Sequence, residues 1–353
     1  MLIWAFITAF ILSMVLTPMV IRLAHKMGAT DKPNERKVHD KVMPRMGGLA
    51  IFASFFIAYV LFGGGFPNQL PILLGAFVII IIGIFDDIYE LRARTKFVGQ
   101  IAAALIIVYW GGLEVEFINL PFGGQLDFGF LSIPVTILWI VAITNAINLI
   151  DGLDGLAGGV SSIALVTISV MALLQGDMFV ATIALIVTGS TLGFLKYNFH
   201  PAKIFMGDTG ALFLGYIIAV LSLLGFKNVT MISLIVPIII LGVPLSDTFY
   251  AIIRRLVNKQ PLAAPDKSHL HHCLLRVGYS HSQTVILIYA LAASFGLAAI
   301  IFSYATMWGA ILIIGILLIT IEIIVEKVGL VGSNYQPLLK MLSTAKNASG
   351  KNK

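Results

Sequence analysis

Asn145-Ala-Ile-Asn-Leu-Ile-Asp-Gly-Leu-Asp-Gly-Leu-Ala-Gly-Gly159 joins two apolar runs of membrane-spanning length and decides how the rest of the chain is read. It sets two carboxylates, Asp151 and Asp154, and two amides, Asn145 and Asn148, at the junction. If the junction is helical, residues three apart share a face, and these four form one polar stripe. Such a stripe is costly beside lipid, so it is expected to face a partner, a cavity or an ion. The competing reading is a short acidic turn in which Gly152 and Gly155 break the helix.

Outward from this stretch, the composition fixes the class. The 353 residues are 59% hydrophobic and 11% charged, too few polar groups to clothe a soluble domain of this size. Continuous apolar runs of roughly 16 to 22 residues fit helices crossing a hydrocarbon core about 30 Å thick, and they lack the alternation of a β-barrel. The chain reads as an all-α polytopic membrane protein whose partner is the lipid bilayer. The net charge of +6 is therefore a matter of topology, and nucleic acid is not expected as a partner. A single cysteine, Cys273, excludes an intramolecular disulfide.

Eleven crossings are expected, at about 2–21, 48–65, 70–85, 97–112, 131–148, 156–174, 178–195, 211–226, 230–253, 283–303 and 305–325. No basic residue precedes Arg22, so the first span is expected to stay attached with its N-terminus outside. Segments 22–47, 86–97, 196–210, 254–282 and 326–353 then face the cytoplasm and hold 22 of the 23 Lys and Arg residues, leaving only Lys227 outside. Pro237 and Pro244 predict a bend in the ninth span that leaves a groove for a lipid tail. The segment from Leu113 to Phe130 alternates around Pro121-Phe-Gly-Gly124 and reads as a small external β-hairpin. Residues 1–326 form a single transmembrane catalytic domain, and 327–353 a basic cytoplasmic tail that touches headgroups.

On this topology the reactive residue types share the cytoplasmic side, each cluster in a loop after an odd-numbered span. Asp86-Asp87 is an adjacent pair that repels unless a cation or proton intervenes, which suits a hard divalent metal; a solvated helix end neutralised by Arg92 and Arg94 is the alternative. In Phe205-Met-Gly-Asp-Thr-Gly210, Asp208 opens a helix, where it could hold a phosphate-bridging metal or simply cap. His269-Leu-His-His272 has spacings too tight for zinc and no second Cys/His cluster, so phosphate contact or proton donation fits better. Pro44, Gly47 and Gly48 suggest a shaped turn able to present Arg45 to an anion, where a merely topological role would explain only the loop's sign.

These motifs, in this order, resemble the polyprenyl-phosphate N-acetylhexosamine-1-phosphate transferases over nearly the whole chain: the Arg36-Lys37-Val-His39 and Pro44-Arg-Met-Gly-Gly48 loop, Asp86-Asp87, Asn145 to Gly159, Phe205 to Gly210, and His269 to His272. The His-x-His-His form and the Pro33-x-x-Arg36-Lys37-x-His39 loop are those of the N-acetylglucosamine branch. The sequence is most similar to the Gram-positive members that begin wall teichoic acid linkage units. The resemblance implies a bacterial plasma-membrane enzyme with a cytoplasmic active site, moving GlcNAc-1-phosphate from UDP-GlcNAc to undecaprenyl phosphate with release of UMP. UDP-MurNAc-pentapeptide is the alternative donor.

The resemblance also implies roles. Asp208 is the principal Mg²⁺ ligand, with Mn²⁺ as the substitute ion, and Asp86, Asp87 and Asp151 surround the metal and diphosphate. Asp154 and Asn148, with Asn145 nearby, help to hold the nucleoside, and Phe205 offers its ring to uracil. His269, His271 and His272, with Lys96 and Arg45, contact phosphates. Direct in-line attack by the lipid phosphate is favoured, since a monoester with a second pKa near 6 is largely dianionic at neutral pH. A phospho-aspartyl intermediate at Asp86 is the two-step alternative. A secondary transporter with Asp247 in its broken ninth helix, and a membrane scaffold, are the readings from other classes. The oligomeric state, a homodimer included, is left open.

Overall fold

A computed structural model describes residues 1–31, 42–64, 69–119, 124–226, 234–261, 266, 268–331 and 335–341. Lys32, Pro33, Arg36, Lys37, His39, Pro121 and Lys227, on which parts of the sequence reading rest, lie outside the described residues.

The chain is a helical membrane protein. Helices α1 (Leu2–Met27), α3 (Gln69–Tyr89), α5 (Ser132–Ile150), α6 (Leu156–Leu174), α7 (Met178–Asn198), α8 (Gly207–Phe226), α12 (His281–Ser303) and α13 (Met307–Val328) account for the eight segments that, among the described residues, are long and apolar enough to cross a bilayer. The count of eleven crossings is thus not reached on length alone. The other three expected spans are α2 (Gly47–Phe62), α4 (Ala93–Tyr109) and a pair, α9 (Ile235–Ile240) and α10 (Gly242–Val257), broken at Leu241. The break sits between Pro237 and Pro244, each lacking the amide N–H that a continuous ladder needs. A short helix, α11 (Leu270–Val277), carries the histidine motif. Apart from the helices, β1 (Thr30–Asp31) pairs antiparallel with β2 (Met43–Pro44), and β3 (Phe117–Asn119) with β4 (Gln125–Asp127).

Helix α8 is the central post, with Ala211, Leu212, Phe213, Tyr216 and Ile217 fully buried. Helices α2, α3, α5 and α6 pack around it, while α1 lies against α7 and α13 stands at the periphery. Leu138, Leu312 and Ile316 are exposed on the outside, an apolar surface that lipid and not water must cover. Glycine sets how closely these helices meet. A Cβ on Gly48 would lie 2.0 Å from Gly210 N, and one on Gly83 would lie 2.4 Å from the Thr209 Cα, so α2, α3 and α8 touch backbone to backbone.

One expectation about position changes, and one helix boundary moves. Asp86 and Asp87 do not follow α3 in a loop; they are its last turn, buried. Asp208 stands in the first turn of α8, which starts four residues before the expected span. Helices run past the hydropathy limits because the bundle, and not lipid, surrounds their polar ends. At the other end of the chain Glu326, 1% exposed, accepts the N–H groups of Leu338 and Leu339 at 2.6 and 2.8 Å, so part of the expected basic tail is held against α13.

Candidate active site

Short backbone bonds bring the α2 and α8 entries side by side. Phe205 N–H donates to Pro44 O at 2.9 Å, and Gly47 and Gly48 donate to Phe205 O and Met206 O at 3.0 and 2.9 Å. This zipper aims Arg45 at the end of α3, its Nε 3.7 Å from Asp87 Oδ1 and its Nη1 4.0 Å from Glu90. Burial works to lower the Arg45 pKa, but Asp87, Asp208, Asp31 and Asp86 together raise it. Arg45 is therefore an invariable cation at the rim.

Asp87 receives three donors from the α8 start. Asp208 N–H reaches Oδ1 at 2.9 Å, and Thr209 N–H and Oγ1–H reach Oδ2 at 3.2 and 2.6 Å. A carboxylate at a helix N-terminus satisfies orphan amides and opposes the helix dipole. Gly207 makes this approach feasible: its φ is +71°, and a Cβ there would stand 2.4 Å from Asp87 Oδ2.

Asp86 and Asp208 face each other across Lys96 from the first turn of α4, whose Nζ is 3.3 Å from Asp86 Oδ2 and 2.7 Å from Asp208 Oδ2. Ligand oxygens of Asp86, Asp87 and Asp208 all lie within 4.8 Å of one another, and Asp86 Oδ1 is buried without a hydrogen-bond partner among the described residues. An all-oxygen set with a desolvated, unsatisfied lone pair suits a hard divalent ion such as Mg²⁺ or Mn²⁺. Asp86 and Asp208 are the freer donors. Asp87 is largely spent on holding Asp208 in place, a division of labour its sequence position does not reveal.

The junction that opened the reading is not one helix. Helix α5 ends at Ile150, Asp151 leaves it with ψ 55°, and Gly155 adopts a left-handed φ of +78° before α6. The polar stripe therefore splits. Asn145 turns toward α4, donating to Gln100 Oε1 at 2.6 Å and to Val141 O at 2.7 Å. Asn148 is half-buried on the last turn of α5. Asp151, beyond the span, is pushed up to about 7 by burial, then by Asp208 and Asp87, so it shares the field of the acid cluster. Asp154 accepts from Ala202 N at 3.1 Å, with His200 Nδ1 2.8 Å away.

The histidine motif closes the other side. Asp247 fixes its start, accepting Leu270 N–H at 2.8 Å and lying 2.9 Å from His269 Nδ1. Asp247 thus holds the start of α11 in place. His271 is buried with both ring nitrogens unpartnered among the described residues, against the Asp151-Gly152 turn: a Cβ on Gly152 would be 2.2 Å from its Nε2. Burial, then His272, lowers the His271 pKa to about 3, and burial, then His269, also lowers that of His272. Both rings are neutral near pH 7 and would meet a phosphate as hydrogen-bond donors. Phe205 is half-buried in the entry to α8.

Sequence reasoning did not find Thr209, Gln100, His200 or His281. Thr209 and His200 were within reach of it, since both flank the Phe205–Asp208 turn. Gln100 and His281 carried no local signal.

Comparison with known proteins places this geometry. The family described as Glycosyl transferase family 4 matches residues 69–226. The chain is 52% identical over 340 residues to the probable undecaprenyl-phosphate N-acetylglucosaminyl 1-phosphate transferase of Bacillus subtilis (strain 168), covering 95% of this chain and 94% of that protein. It is 37% identical to the decaprenyl-phosphate N-acetylglucosaminephosphotransferase of Mycobacterium leprae (strain TN), over 88% of this chain and 87% of the other. The undecaprenyl-phosphate alpha-N-acetylglucosaminyl 1-phosphate transferase of Escherichia coli (strain K12) is 27% identical over 79% and 78%.

Proposed function

The chain belongs to glycosyl transferase family 4, and from that premise we propose that it transfers GlcNAc-1-phosphate from UDP-GlcNAc to undecaprenyl phosphate, releasing UMP. The observation that carries the reading is the convergence of Asp86, Asp87, Asp208 and Lys96 from three helices at one end of the bundle. Membership of the family leaves the transporter and scaffold readings without support. A role in starting teichoic acid or a related cell-surface glycan rests on the resemblance to Gram-positive members. The site faces the cytoplasm of a bacterial plasma membrane, with α2, α4 and the α9–α10 pair completing eleven crossings and the N-terminus outside.

The chemical task is to bring two mutually repelling phosphates into line, one in water and one at the membrane surface. Mg²⁺ held by Asp208 and Asp86, with Asp151 close by, would neutralise the diphosphate and stabilise the departing UMP. Lys96 and Arg45 bring fixed positive charge to the same rim, while Asp87 and Thr209 hold the Asp208 backbone in place. His271 and His272 offer neutral N–H donors to phosphate oxygens. The attacking lipid phosphate is largely dianionic at neutral pH, so no strong base is required of the carboxylates. An oxygen of that phosphate forms its bond to the sugar-bearing phosphorus as the bond to the UMP oxygen breaks. Positioning of this kind is worth about 7–11 kcal/mol in favourable cases.

Purified protein supplied with undecaprenyl phosphate and, in parallel, UDP-GlcNAc, UDP-GalNAc or UDP-MurNAc-pentapeptide tests the reading. UMP and lipid-linked product are expected with UDP-GlcNAc, dependent on Mg²⁺ and absent in Asp208→Asn. Preference for another donor would refute the sugar assignment, and full activity of Asp208→Asn the metal assignment. Stoichiometric UMP release without lipid, with label kept on the protein, would replace direct transfer by the covalent route through Asp86.

A further inference from the structure

Beside the acid cluster stands a second group of ligating side chains, of a different chemical kind. Asp154, His200 and His281 come from the α5–α6 turn, the α7–α8 loop and the first residue of α12, and each offers a ligand atom within 4.8 Å of the others. The two imidazole rings lie face to face, centroids 4.1 Å apart and 19° from parallel. His281 Nε2 is buried with no hydrogen-bond partner among the described residues. Leaving such an atom unpaired costs free energy that a bound ligand would recover. The carboxylate is already oriented, since Asp154 Oδ2 accepts the Ala202 N–H at 3.1 Å, the kind of outer bond that fixes a metal ligand. His200 keeps 41% of its side chain exposed, so the group opens to solvent on one side.

We propose that Asp154, His200 and His281 form a site for a borderline divalent transition metal, Zn²⁺ or its surrogates Co²⁺ and Ni²⁺, separate from the all-carboxylate cluster of Asp86, Asp87 and Asp208. Two imidazoles and one carboxylate match the nitrogen-and-oxygen set these ions take in four-coordinate sites, with water in the fourth position on the exposed side of His200. Mg²⁺, which prefers six oxygens at about 2.0–2.1 Å, is poorly served by the same set. On binding, the ion sits between His200 Nδ1 and Asp154 Oδ2, now 2.8 Å apart, the His200 ring carries its N–H on Nε2, and the stacked rings fan slightly to converge on one centre. The two sites thus sort metals by ligand softness on the same rim of the protein.

The test uses full-length, tag-free protein in detergent, stripped with chelator and titrated with Co²⁺. One equivalent is expected to produce the visible absorption of a low-symmetry four-coordinate ion, displaced by one equivalent of Zn²⁺ and retained in a large excess of Mg²⁺. His200→Gln and His281→Gln are each expected to weaken Co²⁺ binding at least tenfold. His272→Gln, in the other histidine cluster, is expected to leave it unchanged. Each variant is checked for a wild-type thermal transition; should His281→Gln fail that check, solvent-exposed His200 carries the test alone. No Co²⁺ spectrum, displacement by Mg²⁺, or binding that survives in folded His200→Gln would overturn the proposal. None of these readouts depends on transferase activity, so the outcome stands apart from the function proposed above.

Discussion

Lys96 Nζ stands 2.7 Å from Asp208 Oδ2, a contact between residues 112 positions apart that ties the first turn of α4 to the first turn of α8. The same ammonium is 3.3 Å from Asp86, so one cation balances two carboxylates that would otherwise repel at short range. Replacing it removes fixed positive charge where the transferred phosphate must sit. Lys96→Met is expected to lower kcat/KM for UMP release by about 100-fold, the size seen when a preorganised electrostatic group is removed. A variant within twofold of wild type would show that Lys96 serves only to hold the acids.

Asp87 and Thr209 make a finer case. The Thr209 hydroxyl is fully buried and donates to Asp87 Oδ2 at 2.6 Å. Thr209→Val deletes that bond to a charged acceptor and is expected to cost about 1.5–3 kcal/mol. Thr209→Ser keeps the hydroxyl and should lie close to wild type. Thermal unfolding in detergent reads the difference, and equal midpoints for the two variants would contradict it.

Close backbone contact can be tested with a single methyl group. An alanine Cβ at position 48 would meet Gly210 N at 2.0 Å and Thr209 C at 2.4 Å, both main-chain atoms that cannot swing aside. Gly48→Ala is expected to cost upward of about 3 kcal/mol and to remove folded protein from the membrane fraction. Gly315→Ala, with nothing within 4 Å of its Cβ on α13, should change stability by no more than about 1 kcal/mol. Folded protein recovered per cell, scored by monodispersity, separates them.

His271 gives a pH dependence of definite sign. Its folded pKa of about 3 lies below the ordinary imidazole value near 6.5, so the unfolded chain binds the extra proton first as pH falls. The stability linked to this ring is intact above about pH 6.5 and is lost progressively toward pH 3. Between pH 7 and pH 5 the loss amounts to roughly 2 kcal/mol. The difference in unfolding free energy between wild type and His271→Gln should shrink by that amount over the interval. A difference independent of pH would mean that the ring is not held neutral.

Much of the architecture was legible in the sequence because hydropathy is local. The apolar runs marked the membrane class, and the order of the Asp86-Asp87, Asn145–Gly159, Phe205–Gly210 and His269–His272 motifs marked the family, since each motif is read within a few residues. The break in the ninth apolar segment was also local, written in Pro237 and Pro244. Which side chains meet was not local. Asn145 and Asp154 share a helical period on paper, yet Asn145 bonds Gln100 and Asp154 turns to His200, because the helix ends at Ile150 and Gly155 redirects the chain. Pairings such as Lys96 with Asp208 depend on the rotation and spacing of helices far apart in sequence. That spacing is set by backbone contacts at Gly48 and Gly83, and by the Asp87 carboxylate against Gly207, where the absence of a side chain lets α2, α3 and α8 close to a distance that no residue-by-residue pattern encodes.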